Sequence, residues 1–212
     1  MTDKPILFSG PMIRALLDGR KTQTRRVLKP QPDYRGPSGF EDDKEAWGWE
    51  DEDGSHVSVL DIKPNGYWAG DRLWVRETWQ GLTFGDYRPT KDRVCDLRYA
   101  ATDPLAESDK DARGYPWRPS IFMPRWASRL TLTVTDVRVQ RLQEITLGDI
   151  CAEGLARSIY EFKPVQRGFD AWKSLWDGLN AGRGYGWDRN PWVVALTFEV
   201  AQKNIDDLAE AA

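Results

Sequence analysis

Residues 127–142, ASRLTLTVTDVRVQRL, constrain the fold more than any other stretch of the chain. Leu130, Leu132 and Val134 alternate with Thr131, Thr133 and Thr135. A period of two suits a strand with one buried face and does not suit a helix. Past Asp136 the apolar positions continue at Val137 and Val139, on the opposite parity. A one-residue slip turns every side chain over, so the pattern predicts a bulge or bend near Asp136, as barrels use at corners. Strands are expected also near 5–9, 23–28, 72–79 and 193–200, with a weaker one at 94–101. Helices are expected near 11–18, 147–154 and 168–180. Pro11 can open the first, and Thr146 with Asp149 three residues on is a capping-box-like start for the second. Repeats and the regular strand–helix alternation of a doubly wound sheet are both missing from the sequence. The fold class expected is therefore α+β, a curved mixed β-barrel, partly closed, with a few short helices.

At 212 residues the chain suits one domain over 1–200, with loop insertions near 31–66 and 80–120 and a tail over 201–212. Two separated cysteines, Cys95 and Cys151, do not make a disulfide framework. With no signal-like N-terminus and no apolar run of membrane-spanning length, a cytoplasmic protein is expected. His56 is the only histidine, so a His/Cys zinc site lacks its ligands, and neither a metal nor a cofactor is expected. Nucleotide-binding glycine motifs are also missing. Cys151 sits in a helix start, where a thiol can be activated, but a helical cysteine more often serves a core.

The net charge of −3 does not advertise a polyanion binder, but its distribution is uneven. Residues 1–30 carry seven basic side chains against two acidic ones, and residues 41–53 carry eight acidic ones against Lys44. The second stretch reads as a solvated face. The first contains Gly19-Arg20-Lys21-Thr22-Gln23-Thr24-Arg25-Arg26, on the turn between the first helix and the second strand. Two readings of it are open. A lysine crowded by cations and partly desolvated can act as a base toward a neighbouring hydroxyl, with a partly buried carboxylate as the acid. The same residues can also form a phosphate-contacting turn, and the residues alone favour that simpler reading.

That octapeptide, following an N-terminal helix, resembles the signature turn of the ASCH family, whose members share a PUA-like barrel related to EVE domains. Gly70-Asp71 before Leu73-Trp74-Val75, the helix ending at Glu153-Gly154 and the closing strand at 191–199 agree with the family in order. The K-P-I-L-F-S-G-P start, R-E-T-W at 76–79 and M-P-R-W-A-S-R at 123–129 resemble a longer, phage-associated branch. The resemblance implies recognition of RNA or nucleobases. One bacterial branch comprises amidohydrolases acting on N4-acetylcytidine, and the matching residues here are Lys21, Thr24 and Glu153. The roles so implied are proton acceptor, nucleophile and proton donor respectively. Arg25 stands where that branch often has an apolar residue, and this chain is about twice as long.

What the resemblance implies is thus a metal-independent hydrolase of N4-acylated cytosine nucleosides. Phe8, Ser9, Arg20, Arg26, Glu77, Trp79, Arg125 and Trp126 are expected to bind the substrate, a small nucleoside. RNA is the alternative ligand, for a non-catalytic binding module or a ribonuclease on the same fold. Neither a membrane nor an obligate protein partner is expected.

Overall fold

The computed structural model describes residues 2–32, 34–35, 47–50, 52–58 and 64–209. Expectations for Met1 and for residues 33, 36–46, 51, 59–63 and 210–212, much of the acidic stretch among them, lie outside the described residues. In chain order the elements are β1 (Asp3–Leu7), α1 (Gly10–Leu17), β2 (Gln23–Val27), β3 (Tyr34–Arg35), β4 (Trp47–Glu50) and β5 (His56–Ser58). Next come β6 (Arg72–Arg76), β7 (Trp79–Leu82), β8 (Pro89–Thr90), β9 (Asp96–Tyr99) and α2 (Lys110–Arg113). The last are β10 (Thr131–Arg141), α3 (Leu147–Ala152), α4 (Gln166–Asn180), β11 (Trp192–Ala201) and α5 (Ile205–Ala209). The class is mixed α+β, with multi-stranded sheets and mostly short helices.

The chain divides into two compact units. The first comprises Met1–Lys21, Gly70–Thr133 and Glu199–Ala212, and the second Thr22–Ala69 and Val134–Phe198. In the first unit β1 runs parallel to β6, from Asp3 opposite Arg72 to Leu7 opposite Arg76. The start of β10 pairs antiparallel with β6 on its other side. A second sheet has the order β8-β7-β9. Residues 80–92, expected as loop, therefore begin with the end of β7, which continues the R-E-T-W strand after a break at Glu77-Thr78. Trp79, Met123 and Ala127 form a buried cluster here, joined by Leu97, Tyr99 and Trp126. Residues past 200 do more than trail: α5 buries Ile205 completely.

In the second unit β2 pairs antiparallel with β11, from Val27 opposite Val193 to Gln23 opposite Thr197. β3, β4 and β5 make a small antiparallel sheet within the 31–66 stretch that reads as loop or hairpin. The core is Leu142, Ile145, Ile150, Trp172, Trp176 and Val193. Trp172 and Trp176 lie one turn apart on α4, which is why that helix presents one apolar stripe. Along β10 Thr131, Leu132 and Val134 are buried, Thr135 and Asp136 are exposed, and Val139 and Gln140 are buried. The break in burial falls at the position where the sequence changes parity.

The expected barrel is not closed among the described residues. The strand order ends at β1 in the first unit and at β2 in the second, and closure would need each end strand to gain a further neighbour.

Candidate functional site

In the first unit, α1 ends at Asp18, and Gly19 takes φ +70°, a left-handed conformation that glycine adopts without steric cost. The reversal lets the amides of Arg20 and Lys21 both reach the Ala15 carbonyl, at 2.9 and 3.0 Å. That turn delivers Lys21 into the interior, where its side chain is fully buried and its Nζ lies 5.4 Å from the centre of the Phe8 ring. The aromatic face lies within cation–π reach of that nitrogen whenever it carries an added proton. Arg20 turns the other way and pairs with Asp18 at 3.1 Å. Ser9 is exposed and occupies the N-cap of α1 without a side-chain capping bond.

The remaining first-unit candidates surround Met123. The Glu77 amide donates to Met123 Sδ at 3.3 Å. Arg129 grips both oxygens of the buried Glu77 carboxylate, at 2.8 and 2.9 Å, and its guanidinium stacks 4.0 Å from the Tyr99 ring. Burial still wins at Glu77 and pushes its carboxyl above the ordinary value, with the Arg129 bonds and charge pulling back. Trp79 and Trp126 meet edge to face at 6.0 Å. Arg125 bridges Asp3 and Asp206, at 2.6 and 2.7 Å. The capacity Glu77 and Arg125 were expected to offer a substrate is thus spent largely on neighbouring side chains.

In the second unit, strand alternation decides who meets whom on β2. Thr24 and Arg26 share one face, and Arg26 Nη1 donates to Thr24 Oγ1 at 3.0 Å. Gln23 and Arg25 share the other, and Arg25 Nη1 reaches Gln23 Oε1 at 3.3 Å. The Thr22 amide donates to the Ala152 carbonyl at 2.8 Å, which fastens the start of β2 to the end of α3. Thr146 and Asp149 form the capping box that opens α3, as the sequence predicts. Glu153 closes the helix, and Gly154 follows with φ +93°. The i, i+4 spacing puts Asp149 and Glu153 on one face, and Arg25 lies between them. Its Nη1 is 3.2 Å from Glu153 Oε1, and its Nη2 is 3.2 Å from Asp149 Oδ2.

The electrostatics tie these groups together. Burial draws the Arg26 guanidinium below its ordinary value, while the charge of Glu153 opposes this. Arg26 is therefore hydrogen-bonded to Thr24 and within electrostatic reach of Glu153. At Asp149 burial raises the carboxyl, but Thr146 hydrogen bonds and the charges of Arg25 and Arg138 prevail and hold it at about 2. Burial raises the Cys151 thiol, the opposite of what a nucleophile needs.

In the second unit Thr24 and Arg26 thus meet on one face of β2, with the charge of Glu153 felt at Arg26, while Glu153 itself contacts Arg25; in the first unit Phe8 meets Lys21. Sequence reading passed over Arg25, Asp149 and Arg129 as members of such clusters. The one available signal was periodicity: Arg25 two residues from Gln23 on a strand, and Asp149 four from Glu153 on a helix. The 80–120 insertion also frames a cavity of ≈ 560 Å³, lined by Tyr87, Arg98, Leu105, Arg113 and Tyr115 among others. None of the expected site residues lines it. Among the described residues there is no cluster of three or more His, Cys, Asp or Glu side chains able to hold a metal ion. No described helix is long and apolar enough to cross a membrane.

Fold and site together define an α+β protein with buried charged groups on a β-strand and a short helix. No family model, curated protein or solved structure matches the chain.

Proposed function

We propose that this chain is an ASCH-type, PUA-like amidohydrolase that removes the acyl group from N4-acylated cytosine nucleosides, with N4-acetylcytidine as the type substrate. The observation that carries the reading is burial. Lys21, Thr24 and Glu153 are 0%, 1% and 3% exposed. Burying an amine and a carboxylate costs several kcal/mol each, on the order of the effective penalty for any buried ion. A solvent-facing phosphate-contacting turn would not carry that cost.

The chemistry balances with these three groups. The Lys21 amine takes the Thr24 hydroxyl proton as Oγ1 bonds to the acyl carbon. The bond from that carbon to N4 breaks, and N4 leaves as the amine of cytidine, protonated by Glu153. Water, giving a proton to the Glu153 carboxylate, then attacks the acyl-threonine ester; Thr24 Oγ1 leaves with the proton held by Lys21, the carboxylic acid departs and all three groups are restored. The N4 lone pair is drawn into the pyrimidine ring, so this amine leaves far more readily than an alkyl amine. A modest base–nucleophile pair suffices for such an amide.

The test is the ultraviolet spectrum of N4-acetylcytidine incubated with purified protein. Conversion to the cytidine spectrum is expected, with Lys21→Ala, Thr24→Ala and Glu153→Ala each abolishing turnover while substrate binding largely persists. An inactive wild type that binds RNA tightly and in a salt-dependent way would replace this reading with a binding module.

A further inference from the structure

Resting on the amidohydrolase reading, we propose that Arg25 is the positioning residue for Glu153, holding its carboxylate against α3 and compensating the negative charge it acquires on giving up a proton.

Glu153 has two reasons to need a cation. It is buried, and it closes a helix, where the aligned carbonyls disfavour negative charge. Arg25 supplies that cation from β2, with a side chain that is itself fully buried. Its second contact, Asp149, is fixed by the Thr146 capping box at the other end of the same short helix. Arg25 therefore references the position of Glu153 to both ends of α3.

The pairing is loose in a way that a purely structural arginine would not be. Nη1 is divided between Glu153 Oε1 and Gln23 Oε1, at 3.2 and 3.3 Å. Nη2 lies within ion-pair distance of Asp149 but without hydrogen-bond geometry, and Nε is buried with no hydrogen-bond partner. A buried guanidinium with donors in reserve can tighten on a carboxylate whose charge grows. Interactions that strengthen as charge develops lower a barrier, whereas interactions already complete in the resting state do not.

The experiment uses the full chain and N4-acetylcytidine. Arg25→Met should lower kcat about 100-fold, the scale of losing one charge-stabilising donor, with KM changed less than about threefold. Methylguanidinium added at millimolar concentration should recover at least about tenfold of that loss. Arg25→Lys, which keeps the charge and the fold but not the fork, should lose about tenfold in kcat. Wild-type kcat in either folded variant would overturn the assignment. So would a loss in Arg25→Met that methylguanidinium does not recover and that matches a fall in folded fraction, because that is a packing role. Should Arg25→Met not fold, Arg25→Lys alone decides. A wild type without activity removes the amidohydrolase reading and this assignment with it. An active wild type indifferent to Arg25 removes only the assignment.

Discussion

In each unit a buried glutamate lies against an arginine, Glu77 with Arg129 and Glu153 with Arg25, and the two pairs are built differently. Glu77 and Glu153 are equally withdrawn from solvent, their side chains each 2% exposed. Arg129 takes Glu77 with two short, parallel bonds, while its own side chain stays a quarter exposed and stacks on Tyr99. Arg25 meets Glu153 through one longer contact and is itself sealed from water. The first is a finished ion pair, of the bidentate kind that fixes geometry. The second keeps donors unspent where a proton is proposed to move. The difference suggests that the completeness of a buried pair, more than its burial, separates an anchor from a working group.

The widest expected gap between the two is in turnover. Glu153→Gln should cost kcat about 10³-fold, within the usual range for losing a general acid. Glu77→Gln should leave kcat within about threefold and show its effect in stability instead. Steady-state kinetics on both variants checks this, and equal kcat losses would dissolve the contrast.

Next in size is the cost of stranding a charge. Arg129→Met leaves Glu77 buried without its partner, and about 3 kcal/mol of stability should disappear, read from urea unfolding. A loss near zero would mean that Glu77 simply takes up a proton and needs no anchor.

Acid sharpens the comparison further, because the carboxylates respond with opposite sign. The Glu77 carboxyl is held above its ordinary value of 4.5, so the native state binds that proton more tightly than the unfolded chain. Its contribution is greatest below 4.5 and falls as pH rises through the native value. Asp149, which anchors Arg25, is held down at about 2 against an ordinary 3.8. Its contribution is full above 3.8 and is lost as pH falls toward 2. Asp149→Asn should remove about 1 kcal/mol at neutral pH, after allowance for solvent screening, and flatten stability between pH 4 and 2. Unfolding curves across that window decide it; a variant as acid-sensitive as wild type would mean that Asp149 is not held down by Thr146 and the neighbouring arginines.

The smallest effect is at the other end of the scale. Burial pushes the Tyr99 phenol up to about 12, with Arg129 opposing, and burial plus donation to Asp103 does the same at Tyr115. Both favour the native state fully below pH 10, and that contribution fades as pH rises through 12. Phenolate absorbance should show two tyrosines ionising late. In Arg129→Met the Tyr99 step should move later still, since one positive neighbour is gone.

Local features of this fold were legible in the sequence and distant pairings were not. The capping box at Thr146, the stripe of Trp172 and Trp176, and the break in burial at Thr135-Asp136 each depend on neighbours within a turn or two, and each is where local pattern puts it. Lys21, Thr24 and Glu153 could be named as chemical groups. That Glu153 meets Arg25 could not, because 128 residues separate them and no local spacing encodes the contact. The same holds for Arg129 and Glu77, 52 residues apart. How far the sheet closes was not legible either: alternation reports that a strand has two faces and says nothing about whether its sheet meets itself.

The route of the chain has a consequence for how such a protein can change over generations. It passes from one unit to the other at residues 21–22, 69–70, 133–134 and 198–199, and the last two of these crossings fall inside β10 and β11. Neither unit is a continuous stretch of sequence, so no single cut-and-join event can lift one out or graft another in. Lengthening is different. The stretches 31–66 and 80–120 each begin and end within one unit, so added segments there leave every crossing untouched. A lineage built on this plan is free to elaborate its loops while its two halves are inherited together.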